Sequence, residues 1–159
     1  MRKWLPPIVA ALSVAIVLPT LAGAASTRKC SLNMTFLTAP VAVTGNPPLS
    51  GTETRAGTVD GKLCGKQFRG AARLVITYTA PGTGTIHPFA IFGPRGSLEG
   101  TFDVIGVRQP DGSVSLTGSG KITHGTGLFT GATGSMSVTG TRLANSNVNI
   151  VHGTGTLRF

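Results

Sequence analysis

The sequence predicts an all-β fold, a small antiparallel β-barrel of eight strands. No long helix-forming run follows residue 25, and glycine is abundant, with 23 among 159 residues. Short runs of alternating apolar and polar residues are separated by glycine- and proline-containing turn signals, which is typical of antiparallel strands. Full closure leaves no exposed sheet edge, so we favour a barrel for about eight strands. A two-sheet β-sandwich is the alternative.

The clearest element is a hairpin around the turn Gln109-Pro110-Asp111-Gly112. Proline fixes φ for the second position of a type I turn, and glycine tolerates left-handed backbone, which together predict a three-residue loop with a G1 bulge. With Gln109 facing Ser113, the predicted pairs are Arg108–Val114, Gly106–Leu116, Val104–Gly118, Phe102–Gly120 and Gly100–Ile122. From Gly106 to Gly100, each pair sets a large apolar residue against a glycine, which favours a strongly curved sheet.

Shorter elements are predicted on both sides of this hairpin. In the N-terminal half we expect strands over residues 32–36, 50–59, 74–79 and 85–92, the last an edge or bulged strand because it contains Pro88. Residues 37–48 contain three prolines and are expected to form a loop. After the hairpin, we expect strands over 135–142 and 148–159. The strand over 148–159 is expected to contain a bulge near Gly153, because the alternation of its apolar residues shifts by one position there.

The N-terminus predicts export. Residues 1–24 combine Arg2 and Lys3 with an apolar run over 8–21 and the small residues Ala22-Gly23-Ala24, which is typical of a cleaved signal peptide. A retained membrane anchor is the alternative. Cleavage would leave one domain, residues 25–159, with twelve basic and five acidic side chains. We therefore expect a secreted protein, extracellular or periplasmic, that has no stable membrane insertion after the signal is removed.

Cys30 and Cys64 are the chain's two cysteines. An even pair in an exported chain predicts a disulfide, which would tie the first strand to the loop before Arg73. A metal or redox pair is the alternative, but the spacing matches no such motif and no histidine lies nearby in the sequence. We therefore expect a disulfide and no metal site.

A glycine-rich stretch follows the hairpin, in which Gly118-Ser119-Gly120-Lys121-Ile122 leads into Gly125-Thr126-Gly127-Leu128-Phe129-Thr130-Gly131-Ala132-Thr133-Gly134. Over residues 96–141 the chain resembles the dirigent proteins and the allene oxide cyclases. The resemblance implies a barrel that holds an apolar molecule, guides cyclisation or radical coupling without a cofactor, and forms dimers or trimers. For the motif itself we favour a scaffold role, with Leu128 and Phe129 plugging one barrel end.

A cyclase or isomerase of this kind needs an apolar cavity with one or two polar groups where charge develops. The candidate catalytic residues are Glu53, Tyr78, His87 and His152. Tyr78 shares a strand face with Leu74 and Ile76, and His152 shares its parity with Val148 and Ile150. Glu53 and Arg55 are predicted to lie on one face of the strand over residues 50–59. The ordinary structural alternatives are a core tyrosine with a bonded hydroxyl and a surface ion pair between Glu53 and Arg55. Asp103 falls on the outer face in the predicted register.

The predicted function is the binding of a hydrophobic small molecule in the barrel lumen. The expected ligand-binding residues are Phe102, Leu116, Ile122 and Met136. The protein would then be a cofactor-free cyclase or isomerase, or a dirigent-type stereochemical guide. The alternative is a non-catalytic secreted binding or structural module of the envelope or extracellular space.

Other chemistries find little support in the sequence. There is no Gly-x-Ser-x-Gly elbow, and the glycine repeats lack the context and the lysine of a phosphate loop. The basic stretch over residues 62–73 would attract an anionic lipid or polysaccharide, or would simply keep a loop soluble. Nucleic-acid binding is not expected, because Phe68 is the only aromatic residue in this basic stretch.

Overall fold

The computed structural model describes residues 28–159, most of them in eight β-strands. Residues 1–27, including the predicted signal peptide, lie outside the described part. The strands are β1 (Lys29–Asn46), β2 (Ser50–Leu63), β3 (Lys66–Ala80), β4 (Thr83–Gly93), β5 (Gly96–Arg108), β6 (Val114–Gly125), β7 (Thr133–Arg142) and β8 (Asn149–Arg158). One turn of 3₁₀-helix, Gly127–Phe129, lies between β6 and β7.

The strands form one closed antiparallel barrel, in which each strand pairs with its neighbour in sequence and β8 pairs with β1. The prediction of an eight-stranded barrel is confirmed, and the sandwich alternative is wrong. Connections after β1, β3, β5 and β7 lie at one end of the barrel, which we call the mouth. The chain enters at the opposite end, which we call the base, where the backbones of Arg28 and Phe159 are hydrogen-bonded to each other.

The β5–β6 hairpin has the predicted register. The backbone N–H of Gln109 donates to Ser113 O at 2.8 Å, Gly112 has φ of +84°, and all five predicted pairs occur. Phe102 is buried against Gly120, where an added Cβ would lie 2.5 Å from Phe102 Cγ and 2.2 Å from Thr101 O. Any side chain at Gly120 would therefore displace either the phenyl ring or the neighbouring strand.

Aromatic and aliphatic side chains fill the barrel between its middle and its base. Phe89 packs against Phe36 and Phe102, with ring centroids 5.7 and 4.6 Å away, and Phe68 packs against Phe129 at 6.2 Å. Phe129 closes the base, as the sequence predicted. Leu128 does not take part in the plug, because its side chain is 68% exposed.

Several predicted boundaries are corrected. The loop predicted over residues 37–48 is wrong, because β1 extends to Asn46. It continues through Pro40, where a bulge between Pro40 and Ala42 accommodates the residue that cannot donate a ladder hydrogen bond. The third strand begins at Lys66, so the basic stretch is mostly strand. The bulge predicted near Gly153 is wrong, because β8 keeps an uninterrupted register with both neighbours.

The predicted disulfide is present. Cys30 and Cys64 are bonded, with their Cα atoms 4.9 Å apart and a sequence separation of 34. The bond joins the start of β1 to the turn after β2, next to the base. Among residues 28–159, no helix is long and apolar enough to cross a membrane.

Candidate functional site

The mouth contains a cavity of about 670 Å³. Its walls come from the mouth ends of the strands and from all four connections that meet there. They combine apolar side chains with arginine, tyrosine and asparagine side chains. The lining residues are Pro47, Pro48, Leu49, Arg55, Ile76, Tyr78, Pro81, Gly82, Val104, Gly106, Arg108, Gly112, Val114, Leu116, Arg142, Leu143, Asn145, Ser146, Asn147 and Asn149.

A hydrogen-bonded ion pair lies beside this cavity. Arg55 Nη1 donates to Glu53 Oε1 at 2.5 Å, and the Tyr78 hydroxyl donates to Glu53 Oε2 at 2.8 Å. Both carboxylate oxygens are therefore occupied. Arg55 Nη2 also donates to the backbone oxygens of Thr38, at 2.8 Å, and Asn147. The guanidinium thus joins β1, β2 and the β7–β8 connection at one point.

The pair is buried because of the register of β2. Glu53 and Arg55 lie on the same inward face as Val59 and Leu63, and they are only 6% and 1% exposed. The prediction that these two residues share a face is correct, whereas the alternative of a surface ion pair is wrong. The spacing of Glu53 and Arg55 from Val59 and Leu63 was a sequence signal that could have identified the buried pair.

Burial and the Glu53 carboxylate shift the pKa of Arg55 in opposite directions and that of Tyr78 in the same direction. Burial lowers the pKa of Arg55, while its contact with Glu53 opposes that shift. Burial raises the pKa of Tyr78 well above its usual value near 10, and the hydrogen bond to the Glu53 carboxylate raises it further. The Tyr78 phenol is therefore protonated throughout the physiological range and acts as a hydrogen-bond donor.

Two further arginines give the mouth a positive character. Arg108 and Arg142 line the cavity, and neither forms a salt bridge with any residue in the range 28–159. The guanidinium of Arg55 is already neutralised by Glu53. The mouth therefore presents two uncompensated positive charges above an apolar interior, which favours a ligand carrying an anionic or strongly hydrogen-bond-accepting group.

Below the mouth lies a smaller cavity of about 70 Å³, walled almost entirely by apolar side chains. It shares Ile76, Val104, Leu116 and Asn149 with the mouth cavity. Of the predicted ligand-binding residues, Phe102 and Leu116 line this space. Ile122 and Met136 do not line it, because both are buried in the packed core nearer the base.

Asn149 occupies the junction of the two cavities. Its Oδ1 atom is buried and has no hydrogen-bond partner among the described residues. An unsatisfied buried acceptor costs about 1–3 kcal/mol, so a ligand N–H or O–H group at this position would be stabilised. Sequence analysis missed Asn149, together with Thr38, Arg142 and Asn147, because single polar residues near strand ends give no pattern.

Two predicted catalytic residues lie outside the barrel. His87 and Pro88 form a bulge between the inward-facing Ile86 and Phe89, so His87 is exposed, with Nδ1 2.9 Å from Thr101 Oγ1. His152 is exposed, and its Nδ1 lies 3.0 Å from Thr35 Oγ1. The parity argument for His152 was wrong because the odd-numbered residues of β8 face inward.

Asp103 faces outward as predicted, with its carboxylate 3.3 Å from Thr85 Oγ1. The glycine-rich stretch lies at the base, away from the mouth. Gly127 and Gly131 have φ of +59° and +78°, which supports the scaffold role expected for the motif.

Of the predicted site residues, Glu53 and Tyr78 thus remain as polar residues next to the cavities, and Phe102 and Leu116 as apolar wall residues. No protein-family model, no curated protein and no solved structure matches the sequence or the fold.

Proposed function

We propose that this protein is exported and binds an amphipathic small molecule in the mouth of its barrel. The observation that carries the proposal is a cavity of about 670 Å³ that is open at one end, leads to an apolar floor and has a buried Arg55–Glu53–Tyr78 network in its wall. Cavities of about 300–1,000 Å³ with apolar walls and a few fixed polar groups are typical of small-molecule sites.

The chemistry of the walls indicates how the ligand lies. Its apolar part packs against Ile76, Val104 and Leu116, the shared walls of the two cavities. A hydroxyl or amide group of the ligand donates to Asn149 Oδ1. An anionic or carbonyl group faces Arg142, so the molecule enters with its apolar end towards the floor.

The same network suits a cofactor-free isomerisation or cyclisation. The Tyr78 hydroxyl donates a hydrogen bond to Glu53, which leaves the lone pairs of the phenol oxygen available at the cavity wall. These lone pairs accept a hydrogen bond from a donor group of the bound molecule and fix its orientation for the rearrangement. The resemblance to the dirigent proteins and allene oxide cyclases supports this finer proposal, and no oxidant or reductant is needed for a rearrangement.

A non-catalytic carrier is the second candidate. It is favoured by the full hydrogen-bonding of the Glu53 carboxylate, because both oxygens already accept a bond from the protein. In a carrier, Arg55 and Glu53 would hold β1, β2 and the β7–β8 connection in place, and Asn149 and Arg142 alone would orient the ligand.

Native mass spectrometry of the protein purified from its source tests binding. The proposal predicts an additional mass that survives desalting and is released on unfolding. Leu116→Trp fills the junction between the cavities and should abolish the additional mass. The matched control is Ile105→Trp, because Ile105 is 50% exposed on the outer face of β5. Retention of the same mass by Leu116→Trp would contradict binding in the mouth.

Incubating the retained molecule with fresh protein separates an enzyme from a carrier. A cyclase yields an isomer of unchanged mass and altered chromatographic mobility, and Tyr78→Phe lowers the rate at least about tenfold while binding persists. A carrier returns the molecule unchanged from wild type and from Tyr78→Phe. Equal turnover by the wild type and Tyr78→Phe would remove Tyr78 from the chemistry.

A further inference from the structure

The base of the barrel carries an exposed apolar side chain on a firmly held loop. Leu128 is 68% exposed, at the centre of the 3₁₀ turn Gly127–Phe129. The backbone N–H of Leu128 donates to Arg95 O at 2.8 Å, and the next residue, Phe129, is buried in the core. The loop is therefore fixed on both sides, and Leu128 is presented to solvent by a rigid support.

Leu128 borders a groove of about 380 Å³ with a basic rim. Its walls are largely apolar, and among the described residues that line it only Arg28, Lys66 and Arg95 have charged side chains. The lining is Arg28, Leu63, Cys64, Lys66, Gln67, Phe68, Arg95, Leu128, Phe129, Thr130 and Phe159. All three basic residues are exposed, and none forms a salt bridge within residues 28–159. An exposed apolar side chain close to unpaired cations suits binding to a surface that has anionic groups on its outside and an apolar layer beneath them.

More positive charge surrounds this groove. Lys29 of β1 and Arg158 of β8 lie directly opposite each other, an arrangement that is unfavourable unless an anion lies between or beside them. Of the two acidic residues nearest the base, Asp60 is paired with Arg69 at 2.8 Å, and Glu99 forms no salt bridge in the described part of the chain. The base therefore has a clear excess of positive charge.

The N-terminal segment joins the barrel at the base. Residues 1–27 precede Arg28, which is hydrogen-bonded to Phe159 at the base, and the apolar run over residues 8–21 is part of that segment. An anchored precursor would thus hold the base against the membrane.

We propose that the base docks on an anionic phospholipid membrane, with Leu128 entering the boundary between headgroups and acyl chains and with Arg28, Lys66 and Arg95 contacting lipid phosphates. This surface is separate from the ligand cavity, and the two ends of the barrel face in opposite directions. Docked in this way, the protein presents its mouth to the aqueous phase, where it can exchange ligand.

Fluorescence of an introduced tryptophan tests the proposal. Trp4 is the chain's one tryptophan and precedes the barrel, so residues 25–159 contain none. This segment is used because all the described strands, the core and the disulfide lie within residues 28–159. Leu128→Trp should show a blue-shifted emission with vesicles of phosphatidylcholine containing about 30% phosphatidylglycerol. The control Ile105→Trp, on the outer wall of the barrel, should show no shift.

Sedimentation with the same vesicles tests the charges. Because each basic residue near an anionic surface strengthens binding, Lys66→Gln with Arg95→Gln should weaken binding about thirtyfold. The control pair, Arg73→Gln with Lys121→Gln, has the same net charge and should weaken it by less than about threefold. Leu128→Ser should weaken it about tenfold. Thermal unfolding checks that each variant is folded.

Two results would overturn the proposal. One is an unshifted emission of Leu128→Trp together with equal vesicle binding by the two double variants, Lys66→Gln with Arg95→Gln and Arg73→Gln with Lys121→Gln. The other is binding to soluble heparin that matches vesicle binding and is unaffected by Leu128→Ser, which would identify an acidic polysaccharide as the partner. Loss of ligand in the mouth variants has no bearing on either result, because the two sites lie at opposite ends.

Discussion

Glu53→Gln removes the negative partner of a buried guanidinium. Arg55 is 1% exposed and would keep its bonds to the backbone oxygens of Thr38 and Asn147, but no carboxylate would balance its charge. Breaking a buried ion pair from one side costs about 3–5 kcal/mol. The glutamine oxygen can still accept a hydrogen bond from Arg55, so we expect the lower end of this range, about 3 kcal/mol. For a domain of this size, that corresponds to a Tm lower by about 10 °C.

Urea unfolding, followed by circular dichroism, measures this loss. The exposed pair of Asp60 and Arg69 supplies the control, because Asp60→Asn breaks a salt bridge of similar length in solvent and should cost less than about 1 kcal/mol. In the double variant, Glu53→Gln with Arg55→Met, the unpaired charge is also removed, and about 2 kcal/mol of the loss should be recovered. A Glu53→Gln variant as stable as Asp60→Asn would refute the burial of the pair.

Three other predictions concern the fold and the excluded residues. Gly120→Ala should cost about 1–3 kcal/mol by crowding Phe102, whereas the neighbouring Ser119→Ala changes stability by less than about 0.5 kcal/mol; equal effects would contradict the pairing. Replacing both cysteines by serine should cost about 3–4 kcal/mol in urea unfolding, and an unchanged midpoint would contradict a structural disulfide. His87→Ala and His152→Ala should retain ligand in native mass spectrometry; loss in either would place that histidine in the site.

The hairpin was predictable in detail because its turn chemistry sets the register. Pro110 and Gly112 permit one loop type, and that loop fixes which residues of β5 and β6 face each other. The alternation of large residues and glycines then determines the inward face. Closure of the barrel followed from strand number and from the cost of free edges, which depend on the whole chain.

The site was only partly predictable because burial near strand ends depends on distant partners. Tyr78 was identified through its parity with Leu74 and Ile76. Glu53 and Arg55 were placed on one face, but their burial requires β1 and the β7–β8 connection to cover them, and neither contact has a local sequence signal. His87 was misplaced because a bulge changes strand parity at Pro88, and the pattern of apolar residues does not show which residue is extruded.

Ultraviolet titration of the chain's single tyrosine is the most direct test of the buried network beside the mouth, on which the proposed site depends. Because the folded-state pKa of Tyr78 is raised, its contribution to stability is complete below the unfolded value near 10 and is lost as pH rises through the folded value. We predict that tyrosinate absorbance is absent from the native protein near pH 10 and appears when urea unfolds it at the same pH. Half-ionisation of the native protein near pH 10 would show that Tyr78 is solvated and would contradict the site described above.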